Sequence, residues 1–292
     1  MSHAITSDSV LLDAVRSIRW AARKRAPGGL SGDHLSRVLG ISPEFTEYRA
    51  YRQGDDTQRI DWKLLARSDR AYVRLSNDRT LLPTVLLVDA SASLAYPTAT
   101  LEKWHYARQM AIGLAAAAHG SGDPVGLVVA TTGGALRLPS RTRRGVVQDI
   151  SRVLGAIVPA GDSEMAPMLA TLRPVARIVI ISDFLGDSQQ LLRNAAYLNS
   201  AGREVHAVHV LHAAELDPPR NTALMTDPER PHIKRPLTEN TRRQYIENFR
   251  VWRETLAREW RMTGAYYTQV VTTEAVSRSI RLVAAPGMDG QK

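Results

Sequence analysis

The sequence predicts an α/β protein whose main body is a parallel sheet flanked by helices, with a small N-terminal β-rich appendage and a C-terminal helical excursion. Three observations carry this reading. Residues Thr84–Val88, Val125–Ala130, Ala176–Ser182 and Glu204–Leu211 are short, nearly continuous apolar runs, as strands covered on both faces require. Helical stretches separate them, so strand and helix alternate from residue 84 to 211. Before this region, residues 43–75 are rich in charge and aromatics and contain two short alternating segments, Tyr48–Arg52 and Ala71–Leu75.

In chain order, residues 9–25 read as an amphipathic helix carrying Val10, Leu11, Val15, Ile18 and Trp20, stopped by Pro27-Gly28-Gly29. Gly54-Asp55 is a turn signal within the appendage. After the first core strand, the Ala-rich segment Leu101–His119 predicts a helix packed close to the sheet and ended by Gly120, Gly122 and Pro124. Gly133-Gly134 predicts a hairpin into Ala135–Leu138, and Gly145–Leu154 a second helix. Met165–Leu172 and Ser188–Ala201 are further helices. Residues 213–236 hold five prolines and read as irregular, giving way to a long helix from Thr238 to about Met262, a last strand Tyr266–Val271 and a closing helix Glu274–Val283. The organisation expected is 1–80 for the helix and appendage, 81–285 for the α/β domain with an insertion at 213–262, and a disordered tail at 286–292.

Composition narrows the function classes. The 292 residues contain no cysteine, which removes disulfides, thiolate metal sites and cysteine nucleophiles, and fits a reducing cytoplasm. No apolar run reaches the ~18 residues of a membrane span, and the first ten residues lack a signal-peptide pattern. The net charge of +9 raises nucleic acid or peripheral contact with an anionic membrane surface as partners. That excess is spread evenly: 14 Lys and Arg against 10 Asp and Glu in residues 1–80, 11 against 9 in 81–212, and 13 against 10 in 213–292. With no basic tail and no aromatic-interleaved basic motif, nucleic-acid binding is not expected.

The chemistry concentrates where the first core strand ends. Asp89, Ser91 and Ser93 present one carboxylate and two hydroxyls just past the carboxyl end of a central strand, where open α/β sheets place their ligands. Hard oxygens of this kind suit Mg²⁺ or Mn²⁺ rather than zinc. Ser182-Asp183 ends another core strand at the same edge, and Gly161-Asp162-Ser163 precedes a short helix, so a second carboxylate and a third hydroxyl fall nearby. This pattern resembles the von Willebrand factor A-like domain with its metal-ion-dependent adhesion site. That resemblance implies a ligand set of Asp89, Ser91, Ser93, Asp183 and Ser163, the last standing where a threonine is usual.

The motifs Glu47-Tyr48-Arg49, Gly54-Asp55-Asp56, Ile60-Asp61-Trp62-Lys63, Tyr72-Val73-Arg74, Ile181-Ser182-Asp183-Phe184 and Ala214-Glu215-Leu216-Asp217-Pro218-Pro219 extend the likeness. Together they resemble the bacterial domain of unknown function 58 family. The resemblance implies a non-enzymatic, metal-dependent binding protein that partners a MoxR-type AAA+ ATPase in chaperone-like remodelling or maturation of clients. An acidic residue of a client would then complete the metal's coordination.

Plainer readings stand beside these. Asp55, Asp56 and Asp61 are expected to pair with Arg49, Arg52, Arg59 and Lys63 and to shape a turn, and Tyr48 and Trp62 to pack. His206 and His212 fall on one side of a strand and His209 on the other, so they do not converge on a metal. A haloacid-dehalogenase-like phosphotransferase would use Asp89 as nucleophile but needs a second Asp where Ser91 stands. A serine hydrolase on Ser91 lacks the glycine-flanked elbow, and no phosphate-binding Gly-x-x-x-x-Gly-Lys run exists. The remaining alternative is a structural scaffold with a vestigial metal site.

Overall fold

The computed structural model describes residues 7–23, 31–39, 47–53, 57, 60–75, 77–172, 175–186, 188–220, 224–226, 234–236 and 238–284. The chain opens with α1 (Asp8–Val15), β1 (Ser31–Leu39), β2 (Glu47–Ala50), α2 (Trp62–Ser68), β3 (Tyr72–Leu75) and β4 (Asn77–Thr80). The main body then runs β5 (Thr84–Asp89), α3 (Glu102–Gly120), β6 (Val125–Thr131), β7 (Gly134–Arg141), α4 (Val146–Gly155), α5 (Met165–Ala170), β8 (Arg177–Ser182), α6 (Gln189–Ser200) and β9 (Glu204–Leu211). It closes with α7 (Ala213–Leu216), β10 (Leu224–Thr226), β11 (Lys234–Pro236), α8 (Glu239–Met262), β12 (Tyr266–Val271) and α9 (Val276–Ala284).

Six strands form the central sheet in the order β12-β9-β8-β5-β6-β7. All neighbours are parallel except β7, which returns antiparallel along β6 through the predicted glycine hairpin, so the sheet is mixed rather than purely parallel. This is the expected α/β architecture, a mainly parallel sheet with helices on both faces. Alternation along each strand sends side chains to two separate cores. Leu86, Val88, Leu127, Val129, Val179, Ile181, Val208 and Val210 face α3, α4 and α9, while Val85, Leu87, Ile178, Ile180, Val205 and Ala207 face α5, α6 and the Leu256–Trp260 end of α8. The alanines of α3 let it lie close: Ala107, Ala111, Ala115 and Ala118 are fully buried.

The N-terminal helix ends at Val15, ten residues earlier than predicted. Residues 16–23 instead form a strap bound at the amino end of the sheet. Trp20 donates its backbone N–H to Ser121 Oγ at 2.8 Å, and the Arg177 guanidinium lies 4.4 Å from the Trp20 ring centroid while donating to Ala21 O at 3.0 Å. Arg177 is itself fully buried between Glu204, 3.0 Å away, and Asp123, 3.3 Å away. These tertiary partners take the backbone groups a longer helix would have used internally.

The appendage is β-rich as expected, with β1 paired to β4 and β2 to β3, both antiparallel. The periodicity missed β1 and α2. Asp61 caps α2, accepting from Lys63 N at 3.0 Å and Leu64 N at 2.9 Å, and also takes the Tyr48 hydroxyl at 2.8 Å. It therefore starts a helix rather than shaping a turn. Asp55, Asp56 and Arg59 lie outside the described residues. Tyr48, 41% exposed, packs its ring edge-on against Tyr72 at 6.2 Å, whereas Trp62 is 60% exposed, against the expectation that it packs.

Candidate metal centre

The register of the sheet brings the candidate ligands to one rim. Val88 lies beside Ile181 and Asp89 beside Ala130, so the carboxyl ends of β5 and β8 stand level. The loop after β5 is laced to the 160–161 loop by two backbone bonds, Ala92 N to Gly161 O at 2.8 Å and Ala160 N to Ala90 O at 3.0 Å. Gly161 has φ +58°, and a Cβ there would fall 2.5 Å from Thr132 Oγ1, so the position needs glycine. This lacing delivers Ser163 to Asp89.

Asp89, only 4% exposed, is the hub. Its Oδ1 accepts from Ser91 N at 2.9 Å and from Ser163 Oγ at 2.5 Å, and its Oδ2 accepts from Ser182 Oγ at 2.6 Å. A short 3₁₀ turn at Ala92–Ala95 swings Ser93 back until its hydroxyl lies 3.0 Å from that of Ser91. Burial pushes the Asp89 carboxyl above its usual range, the Asp183 charge pushes it further, and the hydrogen bonds from Ser163, Ser182 and Ser91 oppose both.

Asp183 Oδ1 accepts from Leu185 N at 3.3 Å. Its Oδ2 meets the Nζ of fully buried Lys103 at 2.6 Å, and the same ammonium lies 2.7 Å from Glu215 Oε1. Burial alone would lower the Lys103 pKa, but the two carboxylates outweigh it and raise the value. Glu215 is placed by a capping box on α7, in which His212 accepts from Ala214 N and Glu215 accepts from His212 N. Tyr245 of α8 donates to Glu215 O at 3.0 Å, linking the rim to the long helix.

Asp89, Ser91, Ser163 and Asp183 line one cleft of about 430 Å³, joined by Asp162, Glu164 and Ser182. Ser93 sits behind Ser91, hydrogen-bonded to it. The donor set fits a small hard cation: it is all oxygen, and the 3.0 Å between the Ser91 and Ser93 hydroxyls matches the ~3.0 Å edge of an octahedron with ~2.1 Å metal–oxygen bonds. Among the described residues no cluster of three or more His, Asp or Glu side chains forms a metal site, so any cation here depends on hydroxyls. The histidines do not converge. His206 packs against Trp20 and Tyr266, His209 against Phe184, Trp252 and Tyr267, and His212 serves α7.

Ser182 and Glu215 stand in the family motifs but were given no place in the site, and Lys103 was not singled out. One signal was available for Lys103: a cation in the first turn of a helix opposes the helix dipole and calls for a carboxylate partner.

The family described as "Protein of unknown function DUF58" matches residues 47–255, most of the chain. The chain belongs to the DUF58 family. Similar relatives include "Uncharacterized protein Rv1480" of Mycobacterium tuberculosis and "Uncharacterized protein Mb1516" of Mycobacterium bovis, each 34% identical over 223 residues, 73% of this chain and 68% of the relative. Solved structures with similarity to this DUF58 protein include the conserved hypothetical protein BatB of Bacteroides thetaiotaomicron, at 18% identity and TM-score 0.44, covering 70% of this chain and 98% of that one. Another is the pilus adhesin SpaC of Lactobacillus rhamnosus GG, at 12% identity and TM-score 0.45, covering 70% of this chain and 30% of that one.

Proposed function

We propose that this DUF58 protein is a non-enzymatic, metal-dependent protein-binding adaptor. The observation that carries the reading is the meeting of two carboxylates, Asp89 and Asp183, with the hydroxyls of Ser91, Ser93 and Ser163 at one rim of the sheet. In this proposal these five residues hold Mg²⁺ or Mn²⁺, which supplies a Lewis-acidic position for a carboxylate oxygen of a client protein. Asp89 orients the loop through its bond from Ser91 N, and Lys103 takes up part of the Asp183 charge, so the cleft is left short of full neutralisation of an added cation. Family resemblance supplies the wider setting, a MoxR-type AAA+ ATPase as partner and a chaperone-like role in remodelling or maturation of clients, and the absence of cysteine fits the cytoplasm. Among the described residues no helix is long and apolar enough to cross a membrane.

Mn²⁺ or Mg²⁺ is expected to raise the thermal midpoint of the wild type, with Asp89→Ala abolishing the shift and phosphoester hydrolysis staying at background. Turnover that depends on Asp89 would overturn the adaptor reading in favour of phosphotransfer. Capture of an AAA+ ATPase that is lost on adding EDTA tests the partner. A scaffold with a vestigial metal site is the second reading, favoured by the Lys103 ammonium already resting on Asp183. A midpoint indifferent to divalent cations would select it.

A further inference from the structure

A second site lies away from this cleft, where α8 runs beside β12, the last strand of the sheet. There Arg253, Arg258 and Arg261 line a groove of about 520 Å³ whose floor carries Tyr267 and Gln269. It shares no lining residue with the metal cleft.

The groove holds uncompensated positive charge. Among the described residues none of the three arginines is in an ion pair, whereas the single acidic side chain of the lining, Glu254, is bound to Arg250 at 2.6 Å. Arg250 is further held by Glu247 at 2.7 Å. Arg253 Nε is buried without a hydrogen-bond partner. The guanidinium groups are also oriented: Arg253 lies 5.5 Å from the Phe249 ring centroid and Arg261 5.9 Å from that of Tyr267. Beneath them the Tyr267 hydroxyl is fixed between His209 Nδ1 at 2.6 Å and Gln269 Nε2 at 3.0 Å.

Guanidinium forks match carboxylates in bidentate geometry, and three of them along two helical turns match a short run of acidic side chains. The neighbouring strand adds a feature useful to a polypeptide alone. Among the described residues β12 pairs only with β9, so its outer edge offers backbone groups to an extended chain. Single-stranded nucleic acid is held by stacking on open aromatic faces, and the one ring lining the groove, Tyr267, has Arg261 5.9 Å from its centroid. We infer that the groove between α8 and β12 is a docking site for an acidic peptide segment of a partner protein, engaged through Arg253, Arg258 and Arg261.

Fluorescein-labelled octaglutamate, titrated by anisotropy in the presence of EDTA, tests this on the full chain. The wild type is expected to bind, and Arg258→Ala/Arg261→Ala to weaken binding about tenfold or more. Arg137→Ala/Arg141→Ala, the same charge change on the opposite sheet edge, is expected to stay within about twofold. Asp89→Ala should bind like wild type, which separates this site from the metal reading. Equal weakening by the two double variants would reduce the effect to net charge and overturn the proposal. Tighter binding of a single-stranded oligonucleotide with the same Arg258/Arg261 dependence, or full displacement by millimolar inorganic phosphate, would overturn it as well.

Discussion

Lys103 occupies the first turn of α3, where the helix dipole disfavours a cation, and is fully buried there between Asp183 and Glu215. Removing one member of such a cluster strands the others. Lys103→Met is expected to destabilise the protein by about 3–5 kcal/mol in urea denaturation, because Asp183 is left buried without its partner. Lys103→Met/Asp183→Asn should recover a substantial part of that loss, and failure to recover any would show that Lys103 acts through packing instead. These contacts mark where the sequence stopped being legible. Asp89, Ser91 and Ser93 announce themselves as polar residues ending a buried run, and Ser163 and Asp183 followed from strand ends and family resemblance. Lys103 meets Asp183 across 80 positions and Glu215 across 112, a separation no local pattern encodes. Ser182 was visible as the end of a strand and as part of a family motif, but its bond to Asp89 depends on β5 and β8 being neighbours.

Strands buried on both faces were the most readable elements, because their composition is dictated by the environment on each side. Glu204–Leu211, buried along its whole length, was placed to the residue; the half-buried edge strand Tyr266–Val271 was also placed to the residue, and α8 to within one. The misses share a cause. The strap after Val15 gives up helix for contacts with Ser121 and Arg177, and α2 depends on the Asp61 cap and on Asp69 in a left-handed conformation, features set by single residues and not by a periodic stripe. One close approach is directly testable. A Cβ on Gly126 of β6 would lie 2.8 Å from Ser140 N and 2.9 Å from Leu138 O, backbone atoms of β7 that cannot swing aside. Gly126→Ala is expected to cost about 1–3 kcal/mol by thermal or urea unfolding, and adding Ser140→Ala should not relieve it, since the clash is with backbone.

Across the molecule, the sheet keeps charge at its two rims and neutral histidines in between. Burial holds His206 down to about 4 and His209 down to about 3, against about 6.5 in an unfolded chain. Both pKa values are depressed on folding, so the unfolded chain binds protons first. Stability is then full above about pH 6.5 and is lost as the pH falls through 6.5 towards 4 and 3, by about 3 kcal/mol from His206. His206→Phe preserves a ring against Trp20 and Tyr266 and removes that titration, so its urea midpoint should fall less between pH 7.5 and pH 4.5 than that of the wild type. The bond from Tyr245 to Glu215 gives the long helix a different use. Tyr245 stacks on Phe249 at 5.6 Å, and Phe249 on Trp252 at 5.3 Å, so a row of rings runs from the loop that holds Lys103 to an indole. With Trp104 adjacent to Lys103 in sequence, the protein carries natural fluorophores beside both ends of that row, and intrinsic emission can follow events at the rim without an attached dye.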